Sequence, residues 1–208
     1  MAKKKSSVLT NTLVLFVVTL VAVLALAVVN QITRGPIEQA EINARAEIYS
    51  IVYPNADGFA EIDGSDELIE NSAQLLSQSG YDGCYINDTL AVTDASGNTV
   101  GYVIAATSPS GYGGDVQVAI GISVDDNTIT GFNVVSNSET AGLGAKCTES
   151  DFTSQFAGKP ADLMEYTKTG ATNDNEIDAI SGATITTNAV TEAVNSAITF
   201  YQSELKGE

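Results

Sequence analysis

The chain has 208 residues, 26 of them acidic and nine basic, with no histidine, two cysteines and a formal net charge of −17. The lack of histidine excludes imidazole general bases and imidazole metal ligands. So acidic a chain repels nucleic-acid phosphates, and nucleic-acid binding is excluded on that ground. Cys84 and Cys147 stand far apart with no Cys-x-x-Cys pattern, which supports neither an iron–sulfur cluster nor a cysteine-rich zinc site. No metal site is expected. Two separate buried thiols are the simpler expectation, and a disulfide is open if the domain is exported.

The charge is divided unevenly along the chain. Lys3, Lys4, Lys5, Arg34 and Arg45 lie in the first 45 residues, and the rest holds four lysines and all but two of the acids. Ser6 to Thr33 carries no charge, and Val8 to Val29 is predominantly apolar. At helical rise this run spans roughly 33 Å, enough to cross a bilayer core. Ala25-Leu-Ala27 also reads as a small-x-small cleavage site for a signal peptide. The run is longer than a usual signal core and an amphipathic segment follows it, so a retained anchor is the expectation. Three lysines ahead of it, against Arg34 behind, keep the N-terminus cytoplasmic and place the remainder outside.

Pro36 to Val52 reads as a helix leaving the membrane. Pro36 suits a first turn, and Ile37, Ala40, Ala44, Ile48 and Ile51 repeat at helical spacing. Pro54 to Gly58 ends it. Residues 57–89 are acidic and carry one short predicted helix, Glu67 to Gln78, followed by a turn at Gly80 to Gly83. The acids there read as a solvated face.

From residue 90 the pattern alternates. Leu90–Thr93, Val100–Thr107, Val116–Val124 and Thr128–Val135 read as four strands of an antiparallel meander with short turns. Between the second and third lies a predicted loop, Ser108 to Gly114, in which three glycines surround Tyr112. Such a loop can bring backbone and an aromatic ring against a flat ligand, or it is simply a flexible hairpin loop. After the fourth strand comes Glu139-Thr140-Ala141-Gly142-Leu143-Gly144-Ala145-Lys146. Gly142 and Gly144 leave Leu143 exposed or pressed on something planar. Lys146 reads as a solvated lysine or as a cation near a bound ligand. Asp151 to Phe156 predicts a short helix closed by Gly158-Lys-Pro160, and Lys168 to Glu176 a polar loop.

The stretch Asp178-Ala-Ile-Ser181-Gly182-Ala183-Thr184-Ile-Thr-Thr187 follows. Apolar residues at Ala189, Val190, Ala193, Val194, Ala197, Ile198, Tyr201 and Leu205 then keep helical spacing for about five turns. The hydroxyl cluster therefore sits at a helix start, where unpaired N–H groups suit a phosphate and where serine and threonine also serve as plain caps.

Asp-x-x-Ser-Gly-Ala-Thr resembles the flavinylation motif of the Rnf complex G subunit and its sibling, the Nqr complex C subunit. Glu139-Thr-Ala-Gly-Leu-Gly resembles a second segment of that family, and Gly111-Tyr-Gly-Gly114 a third. The resemblance implies FMN joined by a phosphoester to Thr184, with Ser181, Gly182, Ala183, Asp178 and Thr187 around the phosphate or its turn. It implies that Glu139, Thr140, Gly142, Leu143, Gly144, Lys146 and Tyr112 lie against the ring, Lys146 complementing the negative edge of reduced flavin. A separate flavin transferase, using FAD and Mg²⁺, would attach the FMN and release AMP. The expected fold is α+β: a cytoplasmic tail (1–7), a transmembrane helix (8–30), a membrane-proximal helix (31–55) and an extracytoplasmic antiparallel-sheet FMN-binding domain with flanking helices (56–208). The expected role is an electron carrier among the other membrane subunits of an Rnf complex, which passes electrons between ferredoxin and NAD and moves Na⁺ or H⁺. A stand-alone exported flavodomain and a non-redox anchored binding module are the alternatives.

Overall fold

Strict alternation governs the middle of the chain. Val103 and Ala105 point to one face of a strand and Ile104 and Ala106 to the other, and all four are buried, so this strand is covered on both sides. A computed structural model describes residues 9–27, 29, 31 and 49–207, and the chain divides into two units, 1–44 and 45–208.

In the first unit, helix α1 (Leu9–Ala27) is apolar, near the N-terminus and long enough to cross a membrane. Its residues are exposed throughout. Most of the predicted membrane-proximal helix lies outside the described residues.

The second unit carries a five-stranded antiparallel meander in sequential order: β1 (Gly58–Ala60), β2 (Tyr85–Thr93), β3 (Thr99–Gly111), β4 (Gly114–Ser123) and β5 (Thr128–Asn137). Helix α2 (Ser65–Gln78) lies between β1 and β2 in the chain. After β5 come a 3₁₀ turn (Gly144–Thr148), a one-turn helix α3 (Ser150–Thr153), strands β6 (Glu165–Thr167) and β7 (Glu176–Asp178), helix α4 (Thr184–Phe200) and a π-helical turn (Tyr201–Leu205).

Helix α4 covers one sheet face. All eight apolar positions expected along it, Ala189 through Leu205, are at most 1% exposed, and they pack with Ile104, Ala106, Val118, Ile120 and Phe132 in one core. Phe132 stacks on Phe156 at 4.0 Å between ring centres. The opposite face packs Leu90, Val92, Val103, Ala105 and Ala119 against Tyr49, Val52 and Tyr53. Glycines allow that approach: a Cβ at Gly121 or Gly131 would stand 2.4 or 2.6 Å from the Val52 carbonyl oxygen. Thr130 Oγ1 donates to the same oxygen at 2.7 Å.

Three predicted elements change. The strand expected to start at Leu90 begins at Tyr85. The loop expected over Ser108–Gly114 is mostly strand, with Gly111 paired to Gly114 across a two-residue turn, Tyr112-Gly113. Pairing slips only between Ser108 and Gly111, around Pro109, which has no N–H to give. The polar loop before the motif is framed by β6 and β7, which pair in parallel. Between them Glu176 accepts hydrogen bonds from the N–H groups of Thr172 (2.9 Å) and Asn173 (3.3 Å), and these bonds hold its carboxyl below the usual range.

Candidate functional site

The hydroxyl cluster at the start of α4 is divided by geometry. Thr187 Oγ1 accepts the Ile180 N–H and donates to the Ala183 carbonyl, both at 3.0 Å, and the residue is fully buried. That hydroxyl ties the motif's own turn to the first turn of the helix. Thr186 Oγ1 donates to Glu139 Oε2 at 2.7 Å. Ala183 caps the helix without a side-chain hydrogen bond. The first-turn N–H groups lack intrahelical partners, so the cluster is not the plain hydroxyl cap that serine and threonine usually make. Thr184 is the first residue of the helix and is half-buried.

Glu139 joins three segments. Its Oε1 accepts the Gly113 N–H at 3.1 Å, Oε2 takes the Thr186 hydroxyl, and its own N–H donates to Asn137 Oδ1 at 3.1 Å. The β3–β4 turn, the loop after β5 and the start of α4 are thereby closed into one rim. Gly144 sits inside that closure: a Cβ there would stand 2.3 Å from Glu139 Oε2 and 2.4 Å from Thr186 Oγ1. Only glycine lets the 3₁₀ turn pass so close. The loop itself is folded by the Thr140 carbonyl, which accepts N–H bonds from Leu143 and Ala145, both at 3.1 Å.

The rim encloses a cavity of about 570 Å³, within the range of small-molecule sites. Of the expected residues, Tyr112, Glu139, Thr140, Leu143, Gly144, Gly182, Ala183 and Thr184 line it, joined by Ile185 and Thr186. Tyr112, Leu143 and Ile185 are 71%, 49% and 53% exposed, so three large apolar side chains gather at the mouth of one cleft without burial of their own. Gly142 supplies a left-handed turn at φ 76° beside the cleft. Lys146, Asp178 and Ser181 line a neighbouring groove together with Glu149 and Asp151.

Asp178 is spoken for. Its Oδ1 accepts the Ala171 N–H at 2.7 Å and its N–H donates to Gln155 Oε1 at 2.6 Å, so the carboxylate folds the loop ahead of the motif. Cys147 lies buried beneath the rim, and Cys84 is buried as well; both thiols are free. Burial first, and then the Glu139 carboxylate, push the Cys147 thiol up to about 11, so it stays protonated and unreactive at neutral pH.

Sequence reasoning passed over Thr186, Ile185 and Lys168, the last of which lines a third depression with Thr184. Thr186 was visible as one of four hydroxyls, but residue type alone does not say which of them faces a carboxylate 47 positions away.

The cleft fits a flat, largely apolar ligand tethered at one edge. Tyr112, Leu143 and Ile185 make its mouth apolar, and the Glu139 carboxylate, glycine backbone at Gly144 and Gly182, and the threonines Thr140, Thr184 and Thr186 share its lining.

A family model described as an FMN-binding domain matches residues 111–199, and one described as an RnfG N-terminal region matches residues 1–52. The G subunit of the Na⁺-translocating ferredoxin:NAD⁺ oxidoreductase complex of Acetobacterium woodii is 37% identical, over 92% of this chain and 90% of its own. The G subunit of the ion-translocating oxidoreductase complex of Methanosarcina acetivorans is 34% identical, over 90% of this chain and 91% of its own. Among solved structures, NqrC of Shewanella oneidensis matches with a TM-score of 0.47 and 25% identity, over 55% of this chain and 57% of that one. With these relatives aligning along nearly its whole length, the chain belongs to the G-subunit family of the Rnf, or ion-translocating oxidoreductase, complexes.

Proposed function

We propose that this chain is a membrane-anchored electron-transfer subunit holding one FMN, esterified through its phosphate to the Thr184 oxygen, within an Rnf complex. The complex passes electrons between ferredoxin and NAD and couples them to ion transport, as the names of its relatives describe for theirs. Bound FMN supplies the redox chemistry. The chain's residues bind and orient it: Glu139 fixes the rim, Leu143 and Tyr112 cover the ring, and Gly182 lets backbone approach. The observation that carries this reading is the half-buried Thr184 at the border of an apolar-mouthed cleft.

Attachment makes one bond and breaks one. The Thr184 oxygen attacks the flavin-side phosphorus of FAD, the phosphoanhydride bond breaks, AMP leaves, and the hydroxyl proton passes to a base of a separate transferase. Both Glu139 oxygens already accept hydrogen bonds, which favours an external base. With Lys3, Lys4 and Lys5 held in the cytoplasm, the folded unit stands on the opposite side of the membrane, where an ester keeps the flavin from being lost.

The test is the mass of the full chain matured in its host. Wild type should carry the increment of one FMN, and Thr184→Ala should lack it. Retention of the increment in the alanine variant overturns the assignment.

A further inference from the structure

Thr184 and Gly182 line two depressions at once. On one side is the apolar-mouthed cavity. On the other is a groove of about 340 Å³ whose walls include Ser181 and Lys168 and no carboxylate. The same short backbone therefore offers an apolar surface in one direction and a hydroxyl with an ammonium in the other. A tethered ligand with a flat apolar end and an anionic end would be sorted by that division.

Lys168 stands out among the four lysines of an otherwise strongly acidic unit. Lys159 Nζ donates to the Asp174 carbonyl, Lys206 closes the C-terminal turn beyond α4, and Lys146 lines a groove with Glu149, Asp151 and Asp178. The turn that presents Lys168 is also built rather than loose. Ala179 N–H donates to the Thr167 carbonyl at 2.8 Å, Thr169 N–H to Thr167 Oγ1 at 3.2 Å, and Asp178 accepts the Ala171 N–H. A carboxylate of the motif thus holds the lysine's turn beside the motif's threonine.

We propose that Lys168 is the counter-charge of the phosphodiester on Thr184, and that Asp178 is the positioning residue that sets the Lys168 turn. This rests on the assignment of FMN to Thr184. A cation beside a fixed phosphodiester lowers the cost of placing that anion in an acidic domain.

The experiment uses full-length wild type, Lys168→Gln, Lys168→Arg, Asp178→Ala and Lys206→Gln, each matured in host membranes and read by intact mass and by ³¹P NMR of the diester. Lys168→Gln should move the ³¹P line, Asp178→Ala should move it the same way, Lys168→Arg should restore it, and Lys206→Gln should leave it at the wild-type position. If Lys168→Gln fails to load, loading of Lys168→Arg supports the proposal and failure of both overturns it. A loaded Lys168→Gln chain with an unmoved line overturns it while leaving Thr184 in place. A wild-type chain without the FMN increment overturns both.

Discussion

Glu139 and Thr186, 47 residues apart, meet in a 2.7 Å hydrogen bond that joins the loop after the sheet to the first turn of the C-terminal helix. The second oxygen of the same carboxylate holds the Gly113 N–H. A side chain in the Glu-Thr-x-Gly-Leu-Gly stretch thus acts first as a clasp that closes the cleft.

Glu139→Ala removes the acceptor for two donors at once. We expect a stability loss of about 1–3 kcal/mol, chiefly the cost of leaving the buried Thr186 hydroxyl unpaired. Gly144→Ala should cost a similar ~1–3 kcal/mol, because its methyl must displace the clasp or the helix start. Urea denaturation of the full chain in detergent checks both. Both variants should also raise the fluorescence of bound flavin, since the rim no longer closes on it. A Gly144→Ala protein as stable as wild type would show that the clasp is not tightly packed.

Thr187→Val keeps volume and removes the hydroxyl. The Ile180 N–H loses its acceptor, so a cost of about 1–3 kcal/mol is expected. Loading of Thr184 should slow because the motif's turn loosens, while chains that do load carry the full FMN mass. Intact-mass time courses separate this from Thr184→Ala, in which no loading is expected at any time.

Alkaline pH should destabilise the folded unit. The Cys147 thiol is raised from 9.0 to about 11 in the fold, so the unfolded chain gives up that proton first. The stability tied to the neutral thiol is fully present below about pH 9 and is lost as pH rises toward about 11. Burial raises Cys84, Tyr53, Tyr81 and Tyr201 as well, which adds to the same trend. Thermal melts should be flat through neutrality and fall above about pH 9, and Cys147→Ala should flatten the fall.

Much of the fold was written in periodicity. The helical spacing of α4 named the buried positions, and alternation named the cores of four strands, because each pattern reflects one dominant burial term. Strand β1 and the β6–β7 pair are three residues each, too short for a period to register, and the polar composition of β6 and β7 reads as loop. The glycine-rich stretch around Tyr112 misled in the other direction: glycine signals a turn, but the flanking residues still pair across it. In the site, chemistry-bearing residues were legible by motif while their partners were not. Whether a threonine turns inward, as Thr187 does, or reaches a distant carboxylate, as Thr186 does, depends on tertiary placement. Lys168 carried no local signal at all, since a lone lysine in a polar loop looks the same wherever the loop folds.

The seat that Gly121 and Gly131 provide for Val52 bears on where the chain can be cut. A soluble fragment begun at residue 56 would strip Tyr49, Val52 and Tyr53 from the sheet and bare Leu90, Val92 and Val103 to water, inviting aggregation. Begun just ahead of Tyr49, the same fragment keeps its second face dressed and should stay monodisperse once freed from the lipid anchor.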